Sequence, residues 1–333
     1  MIATINLMDT SVTTDNIGDK IICNSIVNEL NHILNKVYVT NTSTHDDIGA
    51  TGRKSINKAD ISVLLGTNAL SSYFKVGRPD IWKINFKDLV SLSNKVLLCG
   101  AGWRNYQGET SILQKLTYQR ILTKQWIHSV RDSHTKNMLA KCGISNVVNT
   151  SCPTLWSLDQ EFCKTIPTQK SGRVVFTLTR HKPDPNDLVM IMVLIENYDR
   201  VLFWPQQIED YDYLSGLVTK ELFNEIELVP PSLSAYDCLL DEKDIDFVGT
   251  RLHGGIRAIQ KGNRALVVSI DNRATEISRD TKLPTIKRSV IPDQLETMIR
   301  GSFETNIVLP HDEINRWKDQ FLKIIPKKLY DHK

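Results

Sequence analysis

The stretch Asp246-Phe247-Val248-Gly249-Thr250-Arg251-Leu252-His253-Gly254-Gly255-Ile256-Arg257-Ala258-Ile259 decides the fold. It opens as an apolar run of strand length that ends at Val248, and Gly249 turns the chain. Leu252, Ile256 and Ile259 then recur at helical spacing. A buried strand that passes through a glycine turn into an amphipathic helix is half of a βαβ unit. Arg251 and His253 therefore sit at a strand's carboxyl end and a helix's N-terminus, where free N–H groups and the helix dipole favour anions. Arg251 adds a donor fork that matches carboxylate or phosphate. Gly254 and Gly255 leave the backbone open to a ligand. Plainer uses exist for both side chains: Arg251 paired with an acidic neighbour, and His253 capping the turn. The crowding of strand, glycine, arginine, histidine and glycine in one short segment favours the functional use.

Outward from this stretch the same alternation repeats. Toward the C-terminal side the strands are Val174–Leu178, Arg200–Trp204, Glu225–Val229, Ile245–Val248 and Ala265–Ile270. Helices are expected at about 186–197, 234–241 and 252–261, and a final one from about Asp312 to Ile325. In the N-terminal half, residues 2–7, Ile61–Leu65, Lys95–Cys99, Trp126–Val130 and Asn146–Asn149 read as strands. A helix from about Ile17 to Leu34 carries Ile22, Ile26, Leu30 and Ile33 at helical period. Asp132 is a natural N-cap for another, running to about Lys141. The pattern breaks between Cys152 and Ser171, around Pro153 and Pro167, which places a linker near residue 165. The expected fold class is α/β: two doubly wound, Rossmann-like domains facing a cleft, residues 1–164 and 165–310, with 311–333 a C-terminal helix and basic tail. Ligands in such sheets bind at the carboxyl ends of strands.

Bulk properties narrow the classes. The chain has 333 residues, 41% apolar and 24% charged, with formal net charge +3, and a pI near 8.4. Two domains and an ordinary core follow from that length. The positive excess is too small to argue for nucleic acid. No basic segment leads into a long apolar one, and no apolar run nears the roughly 20 residues of a membrane span. A cytoplasmic protein is expected. The tail residues Lys323, Lys327, Lys328, His332 and Lys333 are locally basic. They read as solvated, or as a peripheral contact with anionic lipid at the inner membrane face, or as a contact with a pyrophosphate-linked acceptor. The six cysteines form no CxxC pair and no zinc spacing. Cys99 and Cys238 lie in apolar runs and read as core residues. Neither a metal nor a redox cofactor is expected, since no Walker A loop or complete dinucleotide fingerprint is present.

Further strand ends carry candidate chemistry. After Val174–Leu178 come Arg180, His181 and Lys182, either lining the same cleft or forming a solvated cluster. The first loop holds Asp15-Asn16-Ile17-Gly18-Asp19. Gly18 permits close approach, while Asn16 and Asp19 suit sugar hydroxyls, and the two aspartates equally suit helix capping. After Ala265–Ile270, Asp271 is a natural cap, and Arg273 either pairs with Glu276 or reaches a ligand. Gly66-Thr67-Asn68 and Gly100-Ala101-Gly102 are weaker strand-end turns.

Gly249-Thr250-Arg251-Leu252-His253-Gly254 before an apolar helix resembles the C-terminal signature of the polysaccharide pyruvyltransferase family. Asn16-Ile17-Gly18-Asp19 resembles that family's opening motif, and Val130-Arg131-Asp132-Ser133 and Gly143-Ile144 are similar to it as well. The chain departs from the pattern at Ser151-Cys152-Pro153-Thr154 and at Asn272-Arg273. The resemblance implies a two-domain fold of the glycosyltransferase-B type, with the acceptor on the N-terminal side. It implies phosphoenolpyruvate as donor substrate, a pyruvyl ketal bridging two hydroxyls as product, and a glycan or lipid-linked sugar as acceptor. It also implies donor binding and catalysis by Arg251 and His253, with Arg180 as a further donor contact. The residues themselves add Leu252, Gly254 and Arg273 as candidates on the donor side, and Asn16, Gly18 and Asp19 as candidate acceptor contacts. A nucleotide-sugar glycosyltransferase on the same frame is the alternative, and a non-catalytic glycan-binding protein a third class. The donor reading collapses if Arg251 is locked in an internal ion pair that faces away from the cleft.

Overall fold

Among the described residues twelve strands pair in parallel, most of them built on the apolar runs. In the computed structural model, which describes residues 3–74 and 82–325, the first six are β1 (Thr4–Asp9), β2 (Tyr38–Ser43), β3 (Ile61–Leu65), β4 (Val96–Cys99), β5 (His128–Val130) and β6 (Val147–Asn149). The second six are β7 (Arg173–Thr177), β8 (Arg200–Phe203), β9 (Ile226–Leu228), β10 (Ile245–Gly249), β11 (Ala265–Ser269) and β12 (Thr285–Lys287).

The chain divides into two units. One comprises the described residues of Met1–Thr14, Ile22–Trp156 and Leu309–Lys333, the other Asp15–Ile21 and Ser157–Val308. The first holds a sheet of order β2-β1-β3-β4 and the separate pair β5-β6, linked by parallel bridges at Val96–Leu122 and Ala101–Val130. Every residue of β3 and β4 is buried, the mark of strands covered on both faces. The second unit holds one sheet of order β12-β11-β10-β7-β8-β9. From β7 the chain winds outward to β9, crosses back to β10, and winds the other way to β12. The order thus reverses between β7 and β10, and that switch point is where a doubly wound sheet opens a crevice.

Sequence explains the closeness of those two strands. A Cβ on Gly249 would lie 2.3 Å from Thr177 Oγ1 and 2.6 Å from Thr177 N, so only glycine lets the ends of β10 and β7 approach. Gly255 serves packing too: a Cβ there would meet Val267 Cγ2 at 2.5 Å and Phe247 Cε1 at 2.8 Å. The helix Leu252–Gln260 can lie flat on the sheet because Gly255 has no side chain. Gly254 faces Phe247 and Trp204 at van der Waals distance, and its carbonyl accepts from Tyr236 Oη at 2.9 Å. The expectation that Gly254 and Gly255 open the backbone to a ligand is corrected by this packing.

Two strands escaped the sequence reading. β2 (Tyr-Val-Thr-Asn-Thr-Ser) is a mostly exposed edge strand with one buried side chain, so it lacks an apolar run. β12 has three residues and one buried side chain. The first helix stops at Glu29 and is followed by a short turn of helix, Asn31–Leu34. Cys99 is buried as expected, whereas Cys238 faces solvent on the outer side of its helix. Of the basic tail, only Lys323 falls within the described residues, where it is exposed; the other four lie outside them.

Candidate anion-binding pole of the six-stranded sheet

The carboxyl ends of β8, β7, β10 and β11 lie side by side, and each feeds a charged or amide side chain into one cluster. Beyond β7 the chain carries Arg180, His181 and Lys182. After β10 come Arg251 and His253, and after β11 come Asp271 and Arg273. Trp204-Pro205-Gln206-Gln207 follows β8 and leads into the helix Ile208–Leu217, whose first turn holds Glu209 and Asp210.

Arg251 is the N-cap residue of the helix Leu252–Gln260, and its guanidinium is held from several sides. Nε donates to the Leu178 carbonyl at 2.9 Å and to Asp210 Oδ2 at 3.0 Å. Nη2 donates to Gln207 Oε1 at 2.8 Å and to both oxygens of Asp210. The side chains of Arg251 and Asp210 are 6% and 0% exposed. The acidic neighbour that the sequence left open as a partner for Arg251 is Asp210, which matches its charge. Burial pulls the pKa of this guanidinium below its ordinary value, opposed by Asp210 and abetted by Arg273 and Arg180. Nη1 makes no hydrogen bond with any described residue, so one edge of the fork remains open. Asp210 closes a capping box with Gln207 and also accepts from the Arg180 N–H at 3.3 Å.

Arg180 pairs with Glu209 at 3.1 Å, with the two side chains 38% and 39% exposed. Arg273 lies on Asp271, its Nη2 to Oδ2 distance 2.7 Å, and not on Glu276; Glu276 is taken by Arg279. Burial alone would push the Asp271 carboxyl up, but Arg273 and then Lys182 hold it well below the usual carboxylate range. Lys182 Nζ reaches the Ile270 carbonyl at 3.2 Å and Asp271 at 3.7 Å, tying the β7 loop to the β11 loop. His181 is depressed first by burial and then by Arg251, Arg273 and Lys182, which surround it with positive charge. His253 occupies the first turn of its helix and is 6% exposed. Leu252 beside it is buried.

The opening motif joins this pole. Gln206 Nε2 donates to Asn16 Oδ1 at 2.7 Å, Ile17 N donates to the Gln206 carbonyl at 3.1 Å, and Gln207 Nε2 donates to Asp15 Oδ1 at 3.0 Å. A Cβ on Gly18 would lie 2.6 Å from Gln206 Nε2. The space beside Gly18 is taken by a protein side chain, that of Gln206. Asp19 is buried and contributes negative charge at Arg273. These residues, expected on the N-terminal domain, belong to the unit that carries Arg180 and Arg251.

Four residues were missed by sequence reasoning: Gln206, Gln207, Glu209 and Asp210. Their one sequence signal was position, an amide pair and an acid pair directly after an apolar strand. Among the described residues no group of three or more His, Cys, Asp or Glu side chains could hold a metal ion.

This pole sits inside a matched family model. Polysaccharide pyruvyl transferase matches residues 16–272. The chain belongs to the polysaccharide pyruvyl transferase family. The family match spans Asn16, Arg180, Arg251 and His253 and ends just before Arg273. No curated protein matches. Among solved structures, the UDP-GlcNAc 2-epimerase of Neisseria meningitidis bound to UDP-GlcNAc aligns with a TM-score of 0.51 at 13% identity, over 97% of this chain and 98% of that one. A Listeria monocytogenes protein assigned as a UDP-N-acetylglucosamine 2-epimerase aligns with a TM-score of 0.50 at 10% identity, over 100% and 98%. At such identities the likeness is one of fold. The pyruvyl transferase chain has the GT-B-like α/β fold of those enzymes.

Proposed function

We propose that this chain transfers the pyruvyl group of phosphoenolpyruvate to two hydroxyls of a sugar, in a cell-surface polysaccharide or its lipid-linked precursor. The observation that carries the reading is the gathering of Arg251, Arg273 and Lys182 about His181, with Arg180 beside Arg251, at the β7–β10 switch point of a family member.

Charge balance dictates how a donor would enter. Each arginine of the pole already has a carboxylate: Glu209, Asp210 or Asp271. An arriving anion must compete with them. Opening the Arg180–Glu209 pair costs little, since exposed pairs contribute about 0–1 kcal/mol. Opening Arg251–Asp210 would strand a buried charge, at about 3–5 kcal/mol. Arg180 is thus the clamp that swings to the donor. Arg251 stays on Asp210, offers its open Nη1 edge, and fixes the start of the helix whose N–H groups favour anions. Lys182 and Arg273 supply the remaining positive field.

The reaction balances with one proton acceptor and donor. A first sugar hydroxyl adds to C2 of phosphoenolpyruvate as C3 takes up a proton and becomes methyl. The second hydroxyl then attacks C2, the C–O bond to phosphate breaks, and phosphate leaves with the second proton. His253, in the helix's first turn, is the proposed acid and then base. Asn16 is the proposed acceptor contact, with Gly18 and Asp19 shaping the loop that carries it. No metal or redox cofactor enters the scheme.

A ligand that binds only the folded state raises the melting temperature. Phosphoenolpyruvate should do so where UDP-sugars do not. The reverse result would assign the pole to a nucleotide sugar. In turnover, His253→Gln should lower kcat by about 10²–10⁴-fold with folding intact, and an unchanged kcat would remove His253 from the chemistry.

A further inference from the structure

We propose that the helix Ile112–Ile121 of the first unit is a docking face for an anionic bilayer surface. Its outer positions are apolar: Ile112 is 78% exposed, Leu113 46% and Leu116 57%. Its inner positions fix that orientation. Ser111 caps the helix through Gln114 N at 3.3 Å. The Tyr118 hydroxyl accepts from Ser71 N at 2.8 Å and donates to Ser71 O at 3.0 Å. Gln114, Thr117, Tyr118 and Ile121 are buried. Rolling the helix to hide the apolar stripe would break the Tyr118 bonds and expose Ile121, so the display is enforced. Tyr106, on the loop leading into the helix, is exposed as well.

Charge identifies the occupant. Residues 104–124 hold four cations, Arg104, Lys115, Arg120 and Lys124, against one carboxylate, Glu109. Lys115, Arg120 and Lys124 make no ion pair with any described residue. What marks this segment is the local imbalance of four cations to one carboxylate. Unmatched cations beside an outward apolar stripe fit an interface of anionic head groups over acyl chains. A second copy of the chain fits poorly, because a two-fold contact would bring the same cations together. The face uses no residue of the β7–β10 pole.

The test is co-sedimentation of the full chain, without donor, with vesicles of phosphatidylcholine alone or with about one-third phosphatidylglycerol. The wild type should bind the anionic vesicles, release them in high salt, and ignore the neutral ones. Leu113→Ser/Leu116→Ser and Lys115→Glu/Arg120→Glu should each weaken binding at least about tenfold, with melting temperatures unchanged because the sites are solvent-facing. The proposal is overturned by absent binding, by equal binding to neutral vesicles, or by variants that bind like wild type. A dimer that the leucine variant converts to monomer would also overturn it. None of these results bears on donor chemistry.

Discussion

Arg131 and Arg251 are two arginines just beyond the carboxyl ends of parallel strands, each nearly buried against an aspartate, yet they do different things. Arg131 Nε lies 3.1 Å from Asp132, its sequence neighbour, and the side chain is 2% exposed. The backbone of Gly102 lies against its guanidinium, so close that a Cβ there would sit 2.1 Å from Cζ. Asp132 at the same time caps the helix Ser133–Lys141 through Thr135 N at 2.7 Å. That pair is a sealed structural joint. Arg251 takes its aspartate from the neighbouring crossover, keeps Nη1 unbonded, and feels Arg180 and Arg273. Burial in an ion pair therefore does not by itself rule an arginine out of function. What surrounds the pair matters more, and Arg251 has Arg180 and Arg273 gathered about it.

The largest effects should come from breaking either pair. Arg251→Ala and Arg131→Ala each leave a buried carboxylate without its counter-charge, and each should lose about 3–5 kcal/mol in urea unfolding. Neutral double variants separate the two sites. Arg251→Gln/Asp210→Asn should regain much of the stability but lose the melting-temperature rise with phosphoenolpyruvate. Arg131→Gln/Asp132→Asn should regain stability and keep that rise, since asparagine also caps a helix. An Arg251→Gln/Asp210→Asn protein with the full rise would put both arginines in one structural class.

Arg180 sharpens the contrast at intermediate size. Its pair with Glu209 is more than one-third exposed on both sides. Arg180→Ala should therefore change stability by under about 1 kcal/mol. Hydrogen bonds to charged groups contribute about 1.5–3 kcal/mol, so donor affinity by calorimetry should fall about ten- to hundredfold. Unchanged affinity would leave Glu209 as the sole partner of Arg180 and return the clamp to Arg273 or Lys182.

Those pairings mark the limit of what the sequence made legible. Apolar runs showed most strands, because burial on both faces writes a local signal that needs no knowledge of neighbours. The strand ends around Val248 and Leu178 followed from that, and with them Arg180, Arg251 and His253. The edge strand Tyr38–Ser43 was invisible, since one buried side chain leaves no period to detect. Pairing was invisible for a different reason. Asp210 lies 41 positions from Arg251, and Gln206 lies 190 from Asn16. Only the strand order β10-β7-β8 brings the first two together, and no local pattern encodes that order. Gly18 and Gly255 looked like openings for a ligand, while their neighbours proved to be Gln206 and Val267.

His181 offers the smallest and most diagnostic effect. Burial and then Arg251, Arg273 and Lys182 hold its pKa below the ordinary value of 6.5. The neutral form is therefore favoured in the folded chain, and the group adds nothing to the pH dependence of stability above pH 6.5. As pH falls below 6.5 the unfolded chain takes up a proton before the folded one does, so stability declines toward the lowered folded value. His181 is only partly shielded and keeps an exposed surface, so water screens part of the field and the decline is small. A bound dianion reverses the field. It should raise the pKa of His181 and draw in a fraction of a proton, so donor affinity should rise as pH drops from 8 toward 6.5. Calorimetry in buffers of different ionisation enthalpy counts that proton, and His181→Gln should abolish it. The control is Arg131's unit, where His128 is buried and pushed down to about 4 by desolvation, with Nδ1 accepting from Leu98 N and Nε2 on the Thr123 carbonyl. Its ring resonances should not move with donor, because no cation cluster adjoins it. If proton uptake persists in His181→Gln, or if His128 responds as strongly, then the positive field is not centred on the β7–β10 pole.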